Sequence, residues 1–275
     1  MQGLTQGDSD PWALRSEAAP GSTKERFTLT DTPLKDAPRR SGPRGLASGP
    51  RPNRPSAGSP QDAGGGGSRV WAFCEWAAIF LGMPVAIALL MPPRLLFPAL
   101  AVFSLLGLAL LALTPGFRFK SLWRRRLRLA PILAFGALAM AVTLAIIEWR
   151  YPGRAFALLM QSPMTMAMIF MLYPLLSALP QELIFRELWF RRYGALLPSG
   201  RAGLLLNAAA FSLAHLMYWN WTVLVLTFGA GLVFAWGWKR DGLPMAWALH
   251  SIGGLAIFAG GLGILFYSGN VVRPF

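Results

Sequence analysis

The sequence lacks the residues on which several common protein classes depend. It has a single cysteine, Cys74, so no disulfide can form within the chain, and only two histidines, His215 and His250. It contains no His-Glu-x-x-His zinc-protease motif, no Gly-x-Ser-x-Gly elbow and no Walker phosphate loop. These absences exclude an internally disulfide-bonded domain and remove the best-known signatures of soluble hydrolases and nucleotide-binding enzymes.

Charged residues are also scarce. They make up 14% of the 275 residues, whereas 54% are hydrophobic, and a typical soluble domain has about 25% charged residues. Ten of the 26 Lys and Arg and seven of the 12 Asp and Glu lie in residues 1–69. The rest of the chain therefore consists of apolar stretches separated by short basic clusters, which is typical of membrane spans joined by loops. Despite the net charge of +14, we expect no nucleic-acid partner, because no basic face with interleaved aromatic residues is present.

The first 68 residues differ in composition from the rest. They contain no Val or Ile and only two aromatic residues, Trp12 and Phe27. Such a segment cannot bury enough apolar surface to offset the entropy of ordering. We predict a disordered basic tail over residues 1–68, either attracted to anionic lipid or inert, and a multi-pass membrane domain over residues 69–275.

The hydropathy pattern predicts an all-α bundle of about seven transmembrane helices. Most of the apolar runs approach the ~20 residues that cross ~30 Å of hydrocarbon. The uncharged stretch from Ala202 to Trp238 is too long for one crossing, so we divide it between Met217 and Asn220. The predicted helices cover residues 70–91, 95–113, 129–147, 164–180, 202–217, 220–238 and 243–268.

The charges of the predicted loops indicate the orientation of the bundle. Loops on one side are rich in Lys and Arg: Arg118, Lys120, Arg124, Arg125, Arg126, Arg128, Arg191, Arg192, Arg201, Lys239 and Arg240. The other side holds only Arg94, Arg150, Arg154 and Arg273. The positive-inside rule therefore predicts a cytoplasmic N-terminus and an outer C-terminus. We expect an integral protein of the bacterial inner (cell) membrane.

Few ionisable residues lie inside the predicted spans, where each costs about 2.5–3.5 kcal/mol to insert. They are functional candidates unless a structural role explains them. We interpret Glu75, near Arg69 at the interface, and Glu187, four residues before Arg191, as structural. The remaining candidates are Glu182, Arg186, His215 and His250.

Glu182 follows Pro180 and Gln181, and we predict that these three residues form the first turn of a helix, where the missing N–H of proline costs nothing. Glu182 and Arg186 then share a helix face, since they are four residues apart. Two interpretations remain open. The pair is either a buried ion pair that fixes two helices or a water-activating carboxylate held in place by its arginine.

The two histidines lie on different predicted helices. Asn207, Phe211 and His215 are spaced by four residues and so follow one helical stripe. A lone membrane histidine is often only an interhelical hydrogen-bond partner. Two histidines and a glutamate on three helices indicate more: Glu182, His215 and His250 can supply either a water-activating site or three ligands for a divalent metal such as zinc.

The order of these residues resembles that of the CPBP intramembrane proteases, a family that includes the CAAX prenyl proteases and the bacteriocin-processing (Abi) enzymes. The family has three motifs: Glu-Glu-x-x-x-Arg, Phe-x-x-x-His, and His followed four positions later by Asn or a similar polar residue. Residues 181–186 match the first motif except at Gln181, and residues 211–215 match the second. His250 matches the third, with Gly254 at the polar position.

The resemblance covers roughly residues 160–268 and implies a helical membrane core with a buried polar cavity. In that family a glutamate and histidines activate water to cleave a peptide bond of a membrane-embedded or lipidated substrate. Together, the resemblance and the spacing assign Glu182, His215 and His250 as catalytic residues, with Gln181, Arg186, Phe211 and Asn207 in support.

Two departures from the family pattern leave alternatives open. Gln181 has no carboxylate and cannot act as a general base. Gly254 lacks a group that could stabilise an oxyanion, although Asn207 or Ser251 could replace it. We therefore weigh an intramembrane endopeptidase against a catalytically impaired relative that binds a membrane partner or serves as a scaffold. A proton-linked transporter ranks last, because the sequence has no internal repeat.

Overall fold

A computed structural model describes residues 65–123, 125, 127–267 and 271 of the chain. Within these residues every regular element is helical, which confirms the predicted all-α class. Residues 1–64 of the predicted tail lie outside the described residues, as do three basic residues of the predicted loops, Arg124, Arg126 and Arg273. The division into tail and membrane domain therefore stays a prediction.

The α-helices follow one another with short 3₁₀ and π-helical segments between them. The first six are α1 Gly65–Ala77, α2 Met83–Leu90, α3 Leu96–Ala112, α4 Leu129–Arg150, α5 Ala157–Gln161 and α6 Pro163–Tyr173. The remaining five are α7 Leu179–Glu182, α8 Trp189–Arg192, α9 Gly200–Leu213, α10 Trp221–Asp241 and α11 Leu243–Gly260. The π-helical turn Ala78–Gly82 joins α1 and α2 into one continuous helix.

Residues Pro163–Arg192, which we call the motif helix, form one continuous helix of 30 residues. Its α-helical parts are α6, α7 and α8, and the π-helical segments Pro174–Ala178 and Leu183–Leu188 join them. The prediction that a helix ends at residue 180 and another begins at Pro180 is therefore wrong. In a π-helical turn, each carbonyl accepts a hydrogen bond from the N–H group five residues later in the chain. The flanking π-helical turns allow the helix to continue through Pro180, which has no N–H group.

Five helices of the described residues are long and apolar enough to cross a membrane. They are Ser68–Leu90, Leu129–Arg150, Pro163–Arg192, Trp221–Asp241 and Leu243–Gly260. The helices α3 and α9 are shorter, with 17 and 14 residues. Large apolar side chains such as Phe97, Met171 and Trp221 are exposed, as lipid contact requires. The chain is thus an integral membrane protein, while the count of seven spans and the orientation stay predictions.

The predicted break before α10 is confirmed, but His215 lies outside the preceding helix. The helix α9 ends at Leu213 rather than at residue 217, so His215 sits in the turn that follows it. A 3₁₀ turn then covers Leu216–Tyr218, and the side chain of Asn220 caps α10 by accepting hydrogen bonds from two backbone N–H groups of its first turn.

The last helix is shorter than predicted. It ends at Gly260 rather than at residue 268, because Gly261 takes a φ of +110°. This left-handed conformation is open to glycine and terminates an α-helix. The chain continues as the 3₁₀ turn Leu262–Phe266.

Aromatic side chains pack the first helix against the motif helix. The rings of Trp76 and Phe80 lie 5.4 Å and 4.8 Å from that of Trp189, at interplanar angles of 72° and 76°. Phe80 also meets Phe185 at 5.5 Å and 70°. Such edge-to-face contacts stabilise aromatic pairs beyond the burial of their area, so this cluster anchors the motif helix.

Glu75 and Glu187 form ion pairs away from the candidate site. Glu75 accepts from Nε of Arg192 at 2.6 Å. Glu187 pairs with Arg191 and also accepts from the indole N–H of Trp238 at 2.8 Å. Glu75 thus joins α1 to the motif helix, and Glu187 forms contacts within the motif helix and with α10. Both carboxylates have a structural role.

Candidate active site

A large cavity lies among the helices of the membrane domain. Its volume is about 930 Å³, near the upper end of the roughly 300–1,000 Å³ of small-molecule sites. Most of its lining is apolar, and no charged side chain of the described residues lines it. The polar side chains of the lining are Thr143, Thr165, Tyr173, Ser177, Gln181, His215, Tyr218, Thr227, His250 and Tyr267. Both histidines of the chain therefore face one cavity.

Glu182 of the motif helix and His250 of α11 form a buried hydrogen-bonded pair. Oε1 of Glu182 lies 2.8 Å from Nδ1 of His250. Because a carboxylate can only accept, this contact assigns the proton to Nδ1 and leaves Nε2 as a free acceptor. Glu182 is completely buried and does not line the cavity, whereas His250 does. The imidazole ring of His250 therefore lies between the carboxylate of Glu182 and the cavity.

Arg186 compensates the charge of Glu182, one helical turn away. Its Nε lies 3.3 Å from Oε2 of Glu182, and both side chains are completely buried. The two atoms form an ion pair without hydrogen-bond alignment, and neither has another hydrogen-bond partner among the described residues. The guanidinium group also lies 4.8 Å from the ring of Phe211 and donates to the carbonyls of Phe185 and Gly231 at 3.3 Å and 3.4 Å.

The ring of Phe211 contacts both histidines. Its centroid lies 5.5 Å from that of His250 and 4.7 Å from that of His215. Phe234 of α10 stacks on His250 at 4.6 Å with an interplanar angle of 13°. Sequence reasoning missed Phe234, since it lies in no motif. These packed rings hold the two imidazoles in fixed orientations.

The side chain of His215 is held by a backbone carbonyl four residues earlier in the chain. Its Nδ1 lies 2.8 Å from the carbonyl oxygen of Phe211, and because a carbonyl only accepts, Nδ1 carries the proton. The ring of Tyr218 stacks on His215 at 6.1 Å and 27°. Both histidines thus have the same nitrogen, Nε2, free to accept a proton.

Asn207 supports the motif helix rather than the cavity. Its Nδ2 donates to the carbonyl of Phe185 at 2.7 Å, and Phe185 lies in the π-helical segment of the motif helix. Its Oδ1, like the hydroxyl of Ser251, is buried without a hydrogen-bond partner among the described residues. Neither side chain lines the cavity, so neither faces the place where an oxyanion would form.

Gln181 lines the cavity at the position where the resembled motif has its first glutamate. Its Nε2 donates to the hydroxyl of Ser177 at 3.0 Å. At this position the cavity is therefore lined by an amide group. The carboxylate of the neighbouring Glu182 is buried in the protein and does not line the cavity.

Tyr173 fills the space that Gly254 leaves open. A Cβ on Gly254 would lie 2.2 Å from the Tyr173 hydroxyl oxygen and 2.3 Å from two of its ring carbons, far inside contact distance. The Tyr173 ring lies 6.1 Å from that of His250. Sequence reasoning missed Tyr173, because it precedes the first motif and its partner is distant in the chain. The only sequence feature that pointed to this contact was Gly254, which has no side chain to occupy the space.

The predicted metal ligands do not form one group. Among the described residues, no three His, Cys, Asp or Glu side chains are placed to hold a metal ion. The two oxygens of Glu182 contact His250 and Arg186, and both histidines use Nδ1 elsewhere. This arrangement does not fit a three-residue metal site. Zinc bound by Glu182, His215 and His250 stays a prediction.

Comparison with protein families finds a match to the segment that contains this site. A family model described as type II CAAX prenyl endopeptidase, Rce1-like, matches residues 163–255. The predicted family resemblance is confirmed. The matched segment contains the motif helix, Tyr173 and all of the predicted site residues. Comparisons with curated proteins and with solved structures found no match.

Proposed function

We propose that the protein is an intramembrane endopeptidase of the CAAX-protease type, which hydrolyses a peptide bond of a membrane-embedded or lipidated substrate. One observation carries this proposal: His250, hydrogen-bonded to the buried Glu182, shares a single cavity with His215. The family match supports the reaction class. The apolar, uncharged lining of the cavity suits a substrate that enters from the bilayer.

In this proposal a histidine removes a proton from the attacking water. The water oxygen attacks the carbonyl carbon of the scissile bond while the free Nε2 of His250 or His215 accepts a water proton. The carbon–nitrogen bond of the resulting tetrahedral intermediate then breaks, and the histidine returns the proton to the leaving nitrogen. The products are a carboxylic acid and an amine, and the histidine ends in its starting state.

Glu182 acts through His250 in this proposal. A carboxylate behind an imidazole holds the ring in one tautomer and stabilises the imidazolium that forms during proton transfer. The burial of Glu182 and its 2.8 Å contact with Nδ1 support this role. They favour it over the predicted direct activation of water by Glu182, which requires the carboxylate to reach the cavity.

The test is a comparison of variants reconstituted in lipid vesicles with a fluorogenic, prenylated or membrane-spanning peptide. We expect His250→Ala and His215→Ala to lower kcat by about 10²–10⁴-fold, the range for loss of a general base, and Glu182→Gln to lower it as well. Glu187→Gln is the matched control, since it removes a second buried carboxylate of the same helix away from the cavity. Equal cleavage by all four variants and the wild type would refute the assignment.

A second candidate, a peptide-binding protein without hydrolytic activity, has one observation in its favour. Gln181, rather than a carboxylate, faces the cavity. This candidate predicts that the wild type binds the peptide without cleaving it and that Gln181→Glu introduces cleavage. Wild-type cleavage that disappears with His250→Ala would exclude it. The transporter alternative has no comparable observation in its favour among the described residues.

A further inference from the structure

We infer that the hydroxyl group of Tyr173 is the hydrogen-bond donor that stabilises the oxyanion of the tetrahedral intermediate. The inference rests on the proposed hydrolysis and adds a residue to it. It is carried by three observations: the place of Tyr173 in the cavity beside His250, the space that Gly254 provides for it, and a hydroxyl group that no described residue engages in a hydrogen bond.

The ring of Tyr173 is held in place by α11. It packs edge-on against Phe258 at 5.5 Å and 66°, and it approaches His250 at 6.1 Å and 70°. Tyr173 is the last residue of α6, directly before the π-helical segment Pro174–Ala178. Trp247, also on α11, donates to the carbonyl of Pro174 at 2.6 Å. The tyrosine is therefore positioned by the same helix that carries His250, as a preorganised donor requires.

Gly254 is the residue that makes this position possible. A Cβ there would overlap the hydroxyl oxygen and two ring carbons of Tyr173 at 2.2–2.3 Å. Gly254 follows His250 by one helical turn, so the hydroxyl of Tyr173 occupies the space beside His250 that a side chain at position 254 would otherwise take. The donor that position 254 lacks is thus supplied from the motif helix.

Gln181, Thr227 and the two histidines, four of the other polar side chains of the cavity, are engaged or can only accept. Gln181 donates to Ser177, and the hydroxyl of Thr227 donates to the Val223 carbonyl at 2.8 Å. The Nε2 atoms of both histidines are acceptors in the ground state. The hydroxyl of Tyr173 makes no hydrogen bond with any residue that the structure describes, so it is available to a substrate.

The chemistry requires such a donor. When the water oxygen bonds to the carbonyl carbon, the electron pair of the C=O π bond moves onto the carbonyl oxygen. A donor that meets this oxygen stabilises the transition state more than the substrate. The Tyr173 O–H group donates a hydrogen bond and keeps its proton, and the electron pair returns to carbon when the carbon–nitrogen bond breaks.

The first experiment compares Tyr173→Phe with Tyr151→Phe, which removes the hydroxyl of a tyrosine in the loop after α4, outside the cavity. We expect Tyr173→Phe to lower kcat by about 10²–10³-fold, the loss seen when one oxyanion donor is removed, with KM unchanged. Tyr151→Phe should leave both constants at their wild-type values. A Tyr173→Phe variant with wild-type kcat, or one whose loss lies in KM alone, would overturn the inference.

The second experiment moves the hydrogen-bond donor from Tyr173 to position 254 of α11. Gly254→Asn alone should reduce kcat because its side chain overlaps Tyr173, and Tyr173→Ala alone should reduce it because the donor is lost. The double variant Tyr173→Ala/Gly254→Asn has both space and a donor, so its kcat should exceed that of either single variant by at least about 10-fold, a part of the 10²–10³-fold effect of a fully preorganised donor. A double variant no better than the single variants would contradict a donor role.

The outcomes separate this inference from the proposed function. Cleavage that depends on His250 but not on Tyr173 overturns the Tyr173 assignment and leaves the proposed function standing. Absence of cleavage by the wild type overturns both. Dependence on both residues, with rescue in the double variant, supports both.

Discussion

Removal of the Glu182 carboxylate is expected to isolate a positive charge in the protein interior. Arg186 and Glu182 are both completely buried and lie 3.3 Å apart. No other acidic side chain forms an ion pair with Arg186 among the described residues, and its two other donors reach only backbone carbonyls at 3.3 Å and 3.4 Å. The variant Glu182→Leu therefore leaves the arginine without charge compensation.

The magnitude follows from the contacts that are lost. Breaking a buried ion pair by removing one partner costs about 3–5 kcal/mol, so we expect Glu182→Leu to lower the free energy of unfolding by that amount. The double variant Glu182→Leu/Arg186→Met removes both charges and fills similar volume. Its remaining losses are the unpaired Nδ1–H of His250, which costs about 1–3 kcal/mol, and the two long hydrogen bonds from Arg186 to the carbonyls of Phe185 and Gly231. The double variant should therefore be more stable than the single one.

The assay measures thermal unfolding of the purified protein in detergent micelles together with cleavage of the reporter peptide. We expect the double variant to regain stability relative to Glu182→Leu but to stay inactive, because His250 still lacks its carboxylate. A double variant that regains stability and activity together would refute the catalytic role of Glu182 and leave it as a structural partner of Arg186. A single variant that unfolds like the wild type would refute the energetic reasoning.

Further predictions concern the packing of the site and its metal dependence. Gly254→Ala should lower the free energy of unfolding by about 1–3 kcal/mol and reduce kcat, because the new methyl group overlaps Tyr173; a wild-type melting curve and rate would contradict the contact. Asn207→Ala should lower the free energy of unfolding by about 0.5–1.5 kcal/mol, since the Phe185 carbonyl loses the shorter of its two side-chain hydrogen bonds and keeps the one from Arg186, and chemical denaturation checks this. Dialysis against a chelator should leave the cleavage rate unchanged, because no three ligands converge among the described residues; loss of activity that zinc restores would support the metal prediction instead.

Much of the helical organisation could be predicted from the sequence, because apolar runs of span length have few alternatives in a bilayer. The break before α10 was predictable from the aromatic residues and Asn220 that interrupt the run. The continuity of the motif helix was not, since Pro180 normally indicates a helix start. Two π-helical segments accommodate it, and such irregularities depend on tertiary partners such as Asn207 and Trp247, which bond the carbonyls of those segments.

The candidate site was predictable only in part. Spacing predicted the pair Glu182–Arg186 and placed His215 beside Phe211, because both relationships are local in the chain. The contact between Glu182 and His250 joins residues 68 positions apart. No rule based on local spacing predicts which carboxylate oxygen contacts which imidazole nitrogen. Tyr173 was missed for the same reason, since its position depends on the missing side chain of a residue on another helix.

The central claim is that a histidine-held water molecule cleaves a peptide bond inside this cavity. The most direct measurement is mass spectrometry of the cleaved peptide after reaction in H₂¹⁸O with wild-type protein in lipid vesicles, alongside His250→Ala. The claim predicts one ¹⁸O atom in the new C-terminal carboxylate of the wild-type product and no product above background from His250→Ala. Unlabelled product, equal labelled product from both proteins, or no product from the wild type would contradict it.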